Sequence, residues 1–537
     1  MAATNDLPAA QQQPSPASPP RRREPRIAPP AYVMDKHNSR VLDPNTAIRF
    51  PGQQIRPTTY VASDLLAPLG QLTEPVREKL REAAGPDVTV EFEDLDPRMV
   101  DFARRHELHD LAARVLSVRI RLRLSDPDKP REPPDAWPVL QTFRSLVGRD
   151  SELARSVSLN HLVLAAGIEG APKAFGGAVG GAGGFASPTV ADQYSVIGFG
   201  GRQPVAWIGP GPRRSSDEDI KLRIGRRPVV AVLDTGAGAH PWLPDDVVDR
   251  QPRVDGLRVG LDDPSTAVET LGVLEDPLIG TLDSDAGHGT FIAGIIRQLC
   301  PEANLLAVRV MYGDGAVPED VLLSSITWLL LRHAAAQASG DPGGLLDVLS
   351  LSLGYYHEQP ADQAYDHQLL RPLVELAARG VAIVAAAGND ATPRRFYPAG
   401  FATLPGGGVP RDLFVSVAAL NPNGSVALFS NEGDWVTCRR PGASVVSTFP
   451  TNFDGSLEPA ARVRIAESTR ESPDPDDFRS GFGLWSGTSF AAPVLAGELA
   501  QALVSAGDLG GCDSASAVAR AQRAIGAVVS RTDATRR

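Results

Sequence analysis

From about residue 226 onward, apolar residues stop alternating with polar ones and gather into short runs. These are "PVVAVLD", "ANLLAVRV", "LLDVLSLSLG", "GVAIVAAAGN" and "LFVSVAAL". Runs of this length predict strands covered on both faces, and helical segments such as "PEDVLLSSITWLLLRHAAA" stand between them, which predicts an α/β fold with a doubly wound, mostly parallel sheet. The pattern further upstream is different. Glu74 to Ala84 has helical composition and is closed by Gly85-Pro86, while Val88, Val90 and Phe92 alternate with Thr89, Glu91 and Glu93 as in a half-buried strand. Asp96-Pro97 supplies a cap and a first-turn proline for a helix through "RMVDFARRHELHDLAARV". A second alternating strand follows, with Val118, Ile120, Leu122 and Leu124 facing a core and Arg119, Arg121 and Arg123 facing solvent or a partner.

This pattern divides the chain into four parts. Residues 1–55 are rich in Pro, Gln, Ala and Arg and are expected to form a flexible arm. Residues 56–150 form a small α+β unit, 151–225 a Gly/Pro-rich connector, and 226–537 the domain that carries the chemistry. Composition narrows the choice of partners. With 42% hydrophobic and 22% charged residues and a net charge of −11, the chain reads as a soluble protein that attracts neither nucleic acid nor anionic membrane. Its longest apolar-rich stretch near the C-terminus, "VLAGELAQALVSAG", is too short to span a bilayer and contains Glu498. No apolar segment follows Arg21-Arg22-Arg23 as a secretion signal would require, so the expected location is cytoplasmic, with secretion by another route left open. Cys300, Cys438 and Cys512 are too few and too scattered for a disulfide framework or a cysteine zinc site.

Reactive groups in a parallel α/β domain gather at the carboxyl ends of strands. Asp234 ends "VVAVLD", and a carboxylate there needs a partner such as an imidazole. His288 lies between glycines in "DSDAGHGTFIAGII" at the mouth of an apolar helix, and Asn389 leaves a buried strand after Gly388. Ser486 and Ser489 both lie in "SGTSFAAP" ahead of another apolar helix, where free backbone N–H groups favour a nearby oxyanion. Taken singly, each has a structural reading as a turn, a cap or an exposed histidine. An aspartic-protease mechanism needs two Asp-Thr-Gly carboxylates and the chain has one. A Gly-x-Ser-x-Gly hydrolase places its histidine after the serine, yet all nine histidines precede Ser489. The order Asp, His, Ser remains open.

Together the segments around Asp234, His288, Asn389 and Ser489 resemble the subtilase family of serine endopeptidases, over about residues 226–510. The resemblance implies that Ser489 is the nucleophile, His288 the general base and Asp234 its orienting carboxylate. Asn389 and the Ser489 N–H would form the oxyanion hole. Ser352, Leu353 and Gly354 in "DVLSLSLG" would pair with an extended peptide or protein substrate, and Gly313 to Gly315 in "MYGDGAV" would flank its other side. Ser486 is left a structural role. His288 and Asn389 also separate this chain from the sedolisin branch, which has glutamate and aspartate at those places.

Several departures from the family pattern carry expectations of their own. Phe291 replaces a common histidine and should pack. Tyr355 and Tyr356 replace smaller residues and should narrow the groove. The acidic insertion from Asn452 to Phe478 should be a surface loop able to reach the site, and Asp390 hints at tolerance for basic side chains. No metal and no cofactor are expected. The front unit is either an intramolecular prosegment, released by a cut between about 165 and 225, or a permanent recognition domain. The alternative to a protease is a catalytically silent fold that binds peptides or proteins. An active enzyme needs neutral His288, so kcat/KM is expected to rise through roughly pH 6 to 7.

Overall fold

The computed structural model describes residues 28–126, 128, 132–166, 201–359, 368–404 and 411–533. The apolar runs after residue 226 become one seven-stranded sheet in the order Cys438–Pro441, Phe414–Leu420, Ala382–Ala386, Val348–Leu351, Val229–Asp234, Asn304–Arg309, Val248–Asp249. Every neighbouring pair in it is parallel. Its central strands are buried along their whole length, which is why their sequence shows no alternation. The helices His288–Leu299 and Thr488–Ala506 pack on each other and on the sheet. Thr488–Ala506 is long and apolar enough to cross a membrane by length and composition alone, but 67% of its apolar window is buried in the core of this domain.

The front unit is an antiparallel sheet with helices on it. Thr58–Pro68 pairs with Ser39–Leu42, Ser117–Leu124 and Ser158–Ala165, and Val88–Phe92 pairs with Ser117–Leu124. The helix at Glu74–Ala84 has the expected limits, and Asp96 accepts the Arg98 N–H as an N-cap. The single helix expected after Pro97 is instead two, Pro97–Arg105 and His109–Val115, because Glu107 adopts φ 58° between them. Arg119 on the polar face of its strand meets Asp320 of the following domain at 3.2 Å, whereas Arg123 stays within the unit against Glu91.

Two boundaries differ from expectation. The arm assigned to 1–55 contains the helix Ala31–Lys36 and the strand Ser39–Leu42 within its described part. The connector assigned to 151–225 contains a long strand, Ser158–Ala165, and further on Gln203–Pro204 and the helix Asp217–Ile224. Leu162 and Val163 are buried, and the run "SLNHLVLA" has enough apolar surface to be held, whereas the Gly-rich residues 167–200 lie outside the described part. The insertion forms the hairpin Arg462–Ile465 with Ser468–Glu471, exposed at every position and anchored by buried Phe453 and Phe478.

Candidate active site

Asp234, the last residue of a central strand, and His288, the first residue of its helix, are fully buried and joined by a 2.7 Å hydrogen bond between Asp234 Oδ1 and His288 Nδ1. Their approach depends on Gly289: a Cβ there would come within 2.0 Å of the Gly236 carbonyl. Glu269 reinforces this junction from behind. Its carboxylate accepts the Thr235 hydroxyl at 2.5 Å, the Thr290 hydroxyl and the Gly289 N–H at 3.3 Å, so one side chain links the Asp loop to the His helix. Burial, with the Asp234 charge added, raises the pKa of Glu269 to about 7, although its two hydroxyl donors oppose the rise. Burial pulls down the pKa of His288, but the Asp234 carboxylate and its hydrogen bond outweigh this and leave it above the ordinary value.

Ser489 is the second residue of Thr488–Ala506, whose N-cap position is Gly487 with no side-chain cap. Neither serine of the octapeptide therefore caps the helix. Ser486 Oγ accepts the Ser444 N–H at 2.9 Å and fixes the chain ahead of the turn. Asn389 is oriented by Thr488, whose N–H and hydroxyl both donate to Asn389 Oδ1 at 2.9 Å, which turns the amide NH2 the other way. That NH2 and the Ser489 N–H, at 3.1 Å, both donate to one acceptor, the carbonyl oxygen of Ala166.

Ala166 immediately follows the strand Ser158–Ala165, which lies between the two segments expected to pair with substrate. Leu353 and Gly354 pair with it antiparallel on one side, and the Ala166 N–H donates to the Ser352 carbonyl at 2.9 Å. On the other side Ala316–Pro318 pairs with it, and the Ala165 N–H reaches the Gly315 carbonyl at 2.7 Å. Gly313 packs against Asp283, where a Cβ would come within 2.0 Å of the carboxylate. Ser489 Oγ donates to the Ser352 carbonyl at 3.2 Å, and His288 Nε2 has no hydrogen-bond partner among the described residues.

The aromatic substitutions all pack. Phe291 is buried against Phe449, Trp485 and Phe490. Tyr355 stacks on His161 of the inserted strand at 4.3 Å, and the Tyr356 hydroxyl donates to Asp390 at 2.6 Å, so that carboxylate is already engaged. His161 is held between Glu319 at 2.8 Å and Glu358 at 3.1 Å, with Arg144 3.6 Å from Glu358. His161, His357 and Glu358 have ligand atoms close enough to share an ion. However, His357 Nδ1 accepts the Gln359 N–H, which leaves its proton on Nε2, so the group forms an ion-paired network rather than a set of free lone pairs.

A family model described as the subtilase family matches residues 225–517. The chain belongs to the subtilase family. Its sheet and helices are accordingly those of the subtilisin type. Among curated relatives, serine protease AprX of Bacillus subtilis (strain 168) is 26% identical over 304 residues, which is 53% of this chain and 59% of AprX. Minor extracellular protease Epr of the same organism is 30% identical over 180 residues, 32% of this chain and 23% of Epr. Subtilisin BL of Lederbergia lenta is 29% identical over 241 residues, covering 42% of this chain and 68% of subtilisin BL. This subtilase thus spans less than two thirds of the length of AprX and about a quarter of that of Epr.

Four residues around the site were not singled out from the sequence: Glu269, Thr235, Thr290 and Thr488. The threonines sit inside the motifs, next to or two places from the chemical residues. Glu269 is 19 residues before His288 with no local pattern to mark it.

Proposed function

We propose that this subtilase is a serine endopeptidase whose front unit is an intramolecular prosegment bound as a substrate would be. The observation that carries this reading is the Ala166 carbonyl, which receives both the Ser489 N–H and the Asn389 amide at the end of an extended strand paired on both edges. Such an arrangement suits β-augmentation of an extended peptide, with the carbonyl in the place where an oxyanion would develop.

For the reaction, Ser489 Oγ leaves the Ser352 carbonyl by a χ1 change and attacks the carbonyl carbon at the Ala166 position. His288 Nε2 takes its proton, and Asp234 Oδ1 holds the Nδ1–H and stabilises the imidazolium. The Ser489 N–H and Asn389 share the oxyanion. The imidazolium then protonates the leaving amine, and water releases the acyl group by the reverse sequence. In the intact chain the first bond in position is the one that follows Ala166. That Epr is named an extracellular protease favours the secreted alternative over cytoplasmic placement.

The test is labelling with an acylating serine reagent, combined with mass spectrometry of the purified chain. Wild type should take up the label and yield a new terminus after Ala166, and Ser489→Ala should do neither. Equal labelling of the two proteins would remove Ser489 from the mechanism. An active chain that remains intact through Ala166 would make the front unit a permanent domain.

A further inference from the structure

The segment just beyond residue 200 lies upstream of the family match, which begins at residue 225, yet it touches both halves of the site. Gln203 and Pro204 pair antiparallel with Leu484 and Gly483, in the strand Phe482–Trp485 that runs into Ser486 and Ser489. The Val205 N–H adds a hydrogen bond to the Phe482 carbonyl at 3.1 Å. Arg202 reaches the other half, the turn that leads into His288. Its Nη1 donates to the carbonyls of Asp283, Ser284 and Ala286 at 2.9, 3.2 and 2.9 Å, and its Nη2 to that of Leu282 at 3.5 Å.

Four carbonyls of one five-residue turn, those of Leu282, Asp283, Ser284 and Ala286, converging on one guanidinium fix that turn's shape, because the planar fork presents its donors at set angles. Backbone bonds then carry the turn into the helix: the His288 N–H donates to the Asp285 carbonyl at 3.1 Å. The guanidinium also lies 5.3 Å from the Trp485 ring, and Trp485 meets the His288 imidazole edge-on at 5.5 Å and 85°. One side chain therefore sets the backbone entering His288 and braces the ring against which that imidazole rests. Its charge faces the carboxylates of Asp283, Asp285, Asp476 and Glu269, and Asp285 and Glu269 also act on His288.

We propose that Arg202 is a positioning residue for the hydrolytic site and that residues 201–205 belong to the active enzyme, so processing that releases the front unit cuts between Ala166 and Arg202. The proposal rests on the serine-endopeptidase reading. It also narrows the interval of 165 to 225 expected for the cut.

The full-length chain and its Arg202→Met and Arg202→Lys variants, each allowed to process itself, would be compared on one peptide substrate. In Arg202→Met, kcat should fall by about 10- to 100-fold, the scale of a small misplacement of catalytic groups, with KM little changed. The acid limb of kcat/KM should move to higher pH, because Asp285 and Glu269, no longer offset, favour the imidazolium. Arg202→Lys should return the limb to its wild-type position while recovering only part of kcat, since an ammonium cannot span four carbonyls. A folded Arg202→Met with wild-type kcat and an unmoved limb would overturn the proposal. Should that variant fail to fold, N-terminal sequencing of the serine-labelled wild-type species decides: a terminus at or before Arg202 is expected, and full activity from a chain starting at Gln203 or later would overturn it. A wild-type chain that takes up no label rejects the endopeptidase reading itself, a result separable from an active wild type with an equally active Arg202→Met.

Discussion

His161 gives the most quantitative prediction about how the front unit is held. It lies in the strand Ser158–Ala165, 1% exposed, between the carboxylates of Glu319 and Glu358. Burial disfavours its charge, but the two carboxylates prevail and raise its pKa from 6.5 to about 9. At 1.36 kcal/mol per unit, that rise corresponds to about 3 kcal/mol of docking free energy, or about two orders of magnitude in the dissociation constant. The sign follows from linkage: docking binds a proton more tightly than the free strand does. The stabilisation is therefore complete below pH 6.5 and is lost as pH rises toward 9. Once the bond after Ala166 is cut, the front unit should dissociate more readily at alkaline pH. The assay is the rate of label uptake at Ser489 by processed protein from pH 6 to 9.5, taken as the ratio of wild type to His161→Gln at each pH, so that titration of His288 cancels. The ratio should lie well below one at pH 6.5 and climb toward one by about pH 9. His161→Gln, which leaves the buried carboxylates of Glu319 and Glu358 without the imidazolium, should label fast throughout. Parallel profiles for the two proteins would refute the linkage.

Further outcomes can be measured directly. Asn389→Ala should lower kcat by about 10²- to 10³-fold, the known cost of removing one side-chain donor to an oxyanion, with little change in KM. The acid limb of kcat/KM should fall above pH 6.5, higher than an unperturbed imidazole would place it, because Asp234 raises the pKa of His288; Glu269→Gln should move the limb downward by removing a carboxylate that also favours the imidazolium. Trp485→Ala should destabilise the fold by about 3 to 5 kcal/mol in denaturant unfolding, since the ring is fully buried against His288, Phe449 and Phe490. Replacing the exposed hairpin 461–472 with a two-glycine turn should leave thermal stability nearly unchanged, because its strands bury nothing.

Much of this molecule could be read from local pattern. The apolar runs announced the parallel sheet because strands covered on both faces have no reason to alternate, and Asp96-Pro97 announced a helix start because its capping chemistry is local. The break at Glu107 was not legible, since a positive φ there is settled by how its two helices pack into the core of the following domain, with Phe102 against Trp328. The strand Ser158–Ala165 was read as connector because its partners are all distant in sequence: Thr58–Pro68 on one side of it in the chain, Ala316–Pro318 and Leu353–Gly354 more than 150 residues on the other. The same holds for Glu269, whose meaning exists only where Thr235, Gly289 and Thr290 converge, and for Arg202, whose acceptors are main-chain carbonyls that leave no mark in sequence.

If Ser158–Ala165 is the proposed intramolecular substrate, its seat between Ala316–Pro318 and Leu353–Gly354 would also set the kinetic order of events. While the chain is whole, such an occupant would compete as a tethered ligand, so the first cut would be unimolecular and indifferent to dilution. After that cut the same contacts would become an ordinary bimolecular complex. Protein concentration would then govern how much enzyme is open, and a concentrated stock and a dilute working solution of one preparation would differ in specific activity.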